Sequence, residues 1–138
     1  GDGDSVASEA VKSKIKEMDR QDFLSKKEQD LYTILEVANE MYARGFGFVG
    51  VDLYRSHFNE FKIVNDKLMP PLQALSGVGE NAARNIYEEA KKGEFMSKED
   101  LRIRTKTSKT VIEALDEQEC LKSLPETNQL QFMDLQNF

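Results

Sequence analysis

The sequence predicts a mainly α-helical fold with a small β element: N-terminal helices, two or three short strands, two successive helix–turn–helix pairs and an extended C-terminal tail. Three observations carry this. Apolar residues recur with the 3.6-residue helical period in 26–44 and again beyond residue 79. Between Phe46 and Met69 the pattern changes to short β-favouring runs. Pro70-Pro71 then ends any ladder, because proline supplies no N–H donor, and Ser76-Gly77-Val78-Gly79 follows between two helical segments. The implied partition is 1–69, helices and the β element; 70–123, paired helices; and 124–138, a flexible tail.

Residues 1–7 are expected to be disordered. Val11, Ile15 and Met18 then give a thin, highly charged helix over about 8–20, with Ser8 as its N-cap. A stronger helix spans 26–44, with Leu31, Ile34, Leu35, Val37, Ala38, Met41 and Tyr42 as its apolar stripe. Ser25 and Glu28 have capping-box spacing, and Gly45 suits the residue that follows a helix end. Phe46, Phe48, Val49, Val51, Leu53 and Tyr54 alternate as a strand would. A second run covers 60–64, Asn65-Asp66 is a turn, and 67–69 is a return strand. Helical segments follow at 72–75, 80–92, 97–104 and 108–119. Residues 124–138 have no clear period.

Bulk properties restrict the function. The net charge is −6, so any nucleic-acid contact needs a local basic patch. No apolar run reaches the ~18 residues of a membrane span, no signal peptide is visible, and no membrane partner is expected. Cys120 is the only cysteine, which suits a reducing, cytoplasmic setting and a small packing role. His57 is the only histidine, so neither a His-based triad nor a zinc site is expected, and the chain does not have the makings of a complete small enzyme.

The segment 72–86 carries the most chemistry. A short helix ends in Ser76-Gly77-Val78-Gly79 and a longer one starts at once, the form of a helix-hairpin-helix. Two glycines permit backbone angles that other residues resist and allow close approach of a ligand. Amides of the hairpin and of the first helical turn, with Asn81 and Arg84 nearby, make an anion site at the positive end of the helix dipole. Val78 is expected to tuck under with Leu72, Leu75, Ala82 and Ile86. Such a site holds sugar-phosphate backbone and reads no base, so binding is sequence-independent and salt-sensitive. A second, glycine-free hairpin is centred on 105–108, making the pair a tandem. Arg104, Lys106 and Lys109 would supply charge there, and Thr107 or Ser108 would cap the last helix and donate to a phosphate. The first hairpin is the better formed of the two. The alternative is a helix-hairpin-helix module that packs against protein without touching DNA.

The same residues resemble the C-terminal region of the PolC-type DNA polymerase III, a C-family replicative polymerase. Over about 26–130 the resemblance rests on Leu35-Glu36-Val37-Ala38, Glu40-Met41-Tyr42-Ala43-Arg44-Gly45-Phe46 and Val51-Asp52-Leu53-Tyr54-Arg55-Ser56. It continues through Pro70-Pro71 into Gly77-Val78-Gly79-Glu80-Asn81-Ala82-Ala83, then Glu94 to Leu101, Ser108-Lys109-Thr110 and Leu124 to Leu130. The resemblance implies a non-catalytic piece of a nucleotidyltransferase acting in chromosomal replication, close to the nucleoid. Residues 1–69 would adjoin the fingers, and the tandem would hold double-stranded DNA behind an active site located upstream. No cofactor is expected in this segment, divalent magnesium being held elsewhere in the parent polymerase. The resemblance also implies a clamp-binding peptide of the form Gln-Leu-x-Leu-Phe. The aligned residues are Gln129-Leu130-Gln131-Phe132-Met133, so Gln129, Leu130, Phe132 and Met133 are the expected sliding-clamp contacts, and Asp134 to Phe138 extend past them.

Overall fold

The computed structural model describes residues 2–127. Helix α1 (Asp2–Asp19) packs on α2 (Lys26–Ala43). A two-stranded antiparallel sheet, β1 (Lys62–Val64) and β2 (Lys67–Met69), follows, then a 3-10 turn (Leu72–Ala74) and helices α3 (Glu80–Ala90), α4 (Lys98–Thr105) and α5 (Lys109–Glu117). The mainly helical class with a small β element is the one expected.

Helix α1 corrects the expectation of disorder for residues 2–7 and of an N-cap at Ser8: the helix spans Asp2–Asp19 and Ser8 lies inside it. The reason is tertiary. Ala7, Val11, Lys14 and Met18, spaced by four, three and four residues, are buried on one face together with Ser8. Tyr32 of α2 donates its hydroxyl to Asp19 Oδ1 at 2.6 Å, and that carboxylate pushes the phenol up to about 12. Helix α2 starts as its capping box dictates, with Glu28 N donating to Ser25 Oγ at 3.2 Å and Ser25 N to Glu28 Oε1 at 3.0 Å. Gly45, at φ +104°, takes the left-handed position after its end. The apolar stripe is narrower than expected: Leu31, Leu35 and Ala38 are buried, whereas Ile34 and Val37 are exposed.

The β element is smaller than the alternation suggests. β1 and β2 pair Ile63 with Leu68 across a turn in which Asn65 and Asp66 both take positive φ, as that turn type requires. Of the run 46–54, only Phe48 joins, by a parallel bridge to Leu68. The rest turns, because Asp52 competes with a ladder locally: its Oδ1 accepts the N–H groups of Tyr54 and Arg55, and Ser56 Oγ accepts that of Asp52.

Two apolar clusters organise the chain. One joins α1 and α2 through Val11, Met18, Leu31, Leu35, Phe48 and Leu68 and includes Ala74. The other holds the paired helices through Leu72, Leu75, Val78, Ile86, Leu101 and Leu115 and includes Ala10 and Leu53. Each cluster thus contains residues from both sides of position 69/70. Among the described residues no helix is long and apolar enough to cross a membrane.

Candidate nucleic-acid interface

The two hairpins fold in the same register. In the first, Leu75 ends the 3-10 turn, Gly77 takes φ +81°, Val78 is fully buried and Gly79 is the N-cap of α3. In the second, Thr105 ends α4, Lys106 takes φ +57° and Ser108 is the N-cap of α5. Gly77 therefore corresponds to Lys106, Val78 to Thr107 and Gly79 to Ser108. Only one of the two glycines needs its freedom. A Cβ on Gly77 would combine positive φ with a 3.1 Å approach to Ala114 Cβ, whereas one on Gly79, at φ −83°, would meet nothing within 4 Å.

Each hairpin is pinned by a side-chain amide from the other pair. Gln118, the C-cap of α5, accepts from Ser76 N at 3.2 Å and donates to Ser76 O at 3.0 Å. Asn85 of α3 donates to Thr105 O at 3.2 Å. Buried hydroxyls finish the second turn: Thr105 Oγ1 donates to Leu101 O at 2.7 Å and lies 2.8 Å from Thr107 Oγ1. Thr107 is thus partly engaged inward. Ser108 Oγ accepts from Val111 N at 3.3 Å and caps α5, as its spacing suggests.

The hairpins differ in electrostatics. At the first, the amides of Gly79, Glu80, Asn81 and Ala82 have no intrahelical acceptor, and Gly79 offers no side-chain cap. They border a cavity of about 450 Å³ whose lining includes Gly77, Gly79, Asn81, Lys14 and Glu17. The Gly77 amide is not free, however: it donates to Glu17 Oε1 of α1 at 2.9 Å. Lys14 is buried beside it, donating to Val78 O at 3.0 Å and Leu75 O at 3.3 Å, and its Nζ is 2.9 Å from Glu17 Oε2. Arg84 is also committed, bonded to Glu80 Oε1 at 2.7 Å and lying over the Phe58 ring, while Lys27 reaches the same Glu80 oxygen at 3.2 Å. Asn81 is exposed.

At the second hairpin the first turn of α5 has no acidic residue. Lys106 and Lys109 are exposed and make no ion pair among the described residues. Arg102 joins them, exposed and equally unpaired; it shares with Lys109 a cavity of about 330 Å³. Sequence spacing assigns Arg104 to the phosphate face, but the structure turns it inward. Its guanidinium bonds the carbonyls of Glu89 at 2.7 Å, Glu94 at 3.0 Å and Gly93 at 3.1 Å and stacks over Phe95. It also faces Glu89, whose carboxyl is held below its ordinary value first by a hydrogen bond from Lys92 and then by Arg104.

Neither Glu17 nor Lys14 carries a sequence signal for this site, since each lies some sixty residues from the hairpin atoms it contacts. The start of the expected tail is docked: Lys98 N and Glu99 N, first-turn donors of α4, give hydrogen bonds to Pro125 O at 2.9 Å and Glu126 O at 3.1 Å. Lys98 Nζ bonds Glu126 at 2.9 Å and faces Asp116 at 3.2 Å, which raises its pKa. Gln129, Leu130, Phe132 and Met133 lie outside the described residues. Among those described, no group of three or more His, Cys, Asp or Glu residues is placed to hold a metal ion.

A family model for the helix-hairpin-helix motif matches residues 45–131. The chain is 54% identical over 123 residues to the PolC-type DNA polymerase III of Clostridium perfringens, covering 88% of this chain and 8% of that protein. The PolC-type enzyme of Listeria welshimeri is 51% identical over the same length and with the same coverage. That of Bacillus cereus is 56% identical over 104 residues, which is 75% of this chain and 7% of the relative. The chain thus spans under a tenth of the curated relatives it matches. With two hairpins in one register and a motif match across most of its length, it belongs to the helix-hairpin-helix family and is homologous to a segment of PolC-type DNA polymerase III.

Proposed function

We propose that this chain holds the sugar-phosphate backbone of duplex DNA as a non-catalytic part of a replicative polymerase, and that residues 129–133 tether that polymerase to a sliding clamp. The observation that carries the DNA reading is the second hairpin: Arg102, Lys106 and Lys109 are exposed and unpaired around the acid-free N-terminus of α5. The helix start adds only ~0.3–1 kcal/mol when exposed, so the lysines and arginine supply most of the attraction. The first hairpin adds Ser76, Gly77, Gly79 and Asn81 as backbone contacts, with Val78 beneath them. Contacts of this kind to phosphate carry no base readout, and a net charge of −6 keeps the grip local and weak.

Weak gripping suits a tethered protein. A clamp-bound tail turns recapture of the duplex into an intramolecular event at an effective concentration on the order of millimolar. Support for the tail comes from its Gln-Leu start and from five large apolar residues among the last nine, a pattern that fits a hydrophobic groove. Magnesium and the reacting carboxylates belong, in this reading, to other parts of the longer polymerase, which acts in the cytoplasm at the nucleoid.

The test is fluorescence anisotropy of labelled duplexes of several sequences at a series of salt concentrations. Binding should be sequence-independent and weaken with salt, and Lys106→Ala and Lys109→Ala should each lower the log–log salt slope by about one. Binding without a salt slope, or none at low salt, refutes the DNA reading and leaves a protein-packing module. A clamp pull-down that Gln129→Ala with Leu130→Ala leaves unchanged refutes the tether.

A further inference from the structure

We infer that Glu17 is an internal phosphate mimic that keeps the first hairpin occupied until duplex DNA displaces it, so the second hairpin makes the first contact. This rests on the duplex-binding reading above and deepens it.

Three polar groups of the first hairpin, the Gly77 amide and the Leu75 and Val78 carbonyls, are answered by one turn of α1. Glu17 Oε1 accepts the Gly77 amide at 2.9 Å, the place at which a helix-hairpin-helix would present an N–H to a phosphate oxygen. Lys14, one turn earlier, is buried and takes the two outward carbonyls, Leu75 O and Val78 O. A carboxylate on the amide and an ammonium on the carbonyls fill the hairpin as an anion and its counterion would.

Two features make the carboxylate a displaceable occupant. Its second oxygen, Oε2, is buried yet has no hydrogen bond: Lys14 Nζ is only 2.9 Å away, but off the direction a donor needs. Glu17 is therefore held by one amide hydrogen bond and one ion pair, less firmly than a cap with both oxygens hydrogen-bonded would be. The side chain is also 34% exposed, along the cavity that includes Gly77, Gly79 and Asn81, so a phosphate can approach from solvent while Glu17 withdraws. Glu80, tied to Arg84 and Lys27 at the same helix start, adds a second negative charge that the corresponding turn of α5 lacks. The charges at the first hairpin are thus already paired, Glu17 with Lys14 and Glu80 with Arg84 and Lys27, whereas Arg102, Lys106 and Lys109 at the second are exposed and unpaired, so a phosphate is attracted there first.

The test compares duplex affinity of the whole 138-residue chain carrying Glu17→Ala, Glu17→Gln, Glu9→Ala or Glu9→Gln with the unaltered chain. Glu9 is exposed on the same helix, so its substitutions measure the effect of net charge alone. Glu17→Ala should tighten binding about three- to tenfold, the upper end equivalent to ~1.4 kcal/mol, and clearly more than Glu9→Ala. Glu17→Gln should gain less, because its amide oxygen can still accept from Gly77, but more than Glu9→Gln. The Gly77 amide resonance should begin to shift with duplex at lower DNA concentrations in Glu17→Ala. Equal gains at positions 9 and 17 overturn the mimic and leave the duplex reading intact; no binding by any of the proteins overturns both. If circular dichroism shows Glu17→Ala unfolded, the Glu17→Gln and Glu9→Gln pair decides.

Discussion

Replacing Gly77 with alanine should destabilise the chain markedly, whereas the same change at Gly79 should not. Gly77 sits at φ +81°, where an L-residue brings its Cβ against the following carbonyl at a cost of ~1–2 kcal/mol. The new methyl would also lie 3.1 Å from Ala114 Cβ, on the helix whose end Gln118 fastens to Ser76, so that contact cannot open without disturbing both hydrogen bonds. That adds about 1 kcal/mol, the lower end of overpacking costs, for a total of ~2–3 kcal/mol. At Gly79 a Cβ meets nothing within 4 Å and φ is −83°. The reduced freedom of the unfolded chain favours alanine by ~0.4–1 kcal/mol, and the poorer N-cap offsets a similar amount. Urea unfolding followed by circular dichroism decides: with m near ~1–2 kcal/mol/M for a chain of this size, Gly77→Ala should lower the midpoint by roughly 1–3 M and Gly79→Ala by under ~0.5 M. Equal midpoints for the two variants would refute the assignment of positive φ as the reason for the first glycine.

Two other outcomes follow from buried groups. Lys14→Ala leaves Val78 O without its side-chain partner, Leu75 O with the Val78 amide alone and Glu17 Oε2 without a counter-charge, so unfolding free energy should fall by about 3 kcal/mol, against under ~0.5 for the exposed Lys12→Ala; equal losses would contradict the buried contacts. Cys120 has its thiol pushed up to about 12, chiefly by burial and then by Asp52 and Glu119, so at pH 8.5 its thiolate is orders of magnitude scarcer than that of an unfolded cysteine. Iodoacetamide should label it at least ~100-fold faster in urea than in the native chain, and native labelling should accelerate with pH through the whole range up to 10. Native labelling that levels off near pH 9 would mean the thiol is not held in this way.

Much of the fold was legible because its signals are local. Ser25 with Glu28, Ser97, Ser108, Asn65-Asp66 and Pro70-Pro71 each act within about four residues, on a backbone group whose need is set by the element that starts or stops there. The tandem hairpins were legible for the same reason: Leu72, Leu75, Val78 and Ile86 are spaced to share one core, and they do. The alternation of 46–54 misled because a single side chain, Asp52, turns the backbone more cheaply than a short edge strand can hold it.

The order of elements, the presence of two hairpins and the charge available to them could thus be read from the chain alone. Which charges face outward was decided only by tertiary packing. Arg104 looks free in the sequence but finds the carbonyls of Glu89, Gly93 and Glu94 and the Phe95 ring brought to it by another segment, and Arg84, paired with Glu80 on its own helix, is covered by Phe58, while Arg102 is left exposed. The Gly77 amide, which looks open, is met by a carboxylate 60 residues away. The last pairing depends on how α1 packs against the first hairpin, and the Arg104 pairing on how α3 and α4 meet, matters of long-range burial that leave no local pattern in the chain.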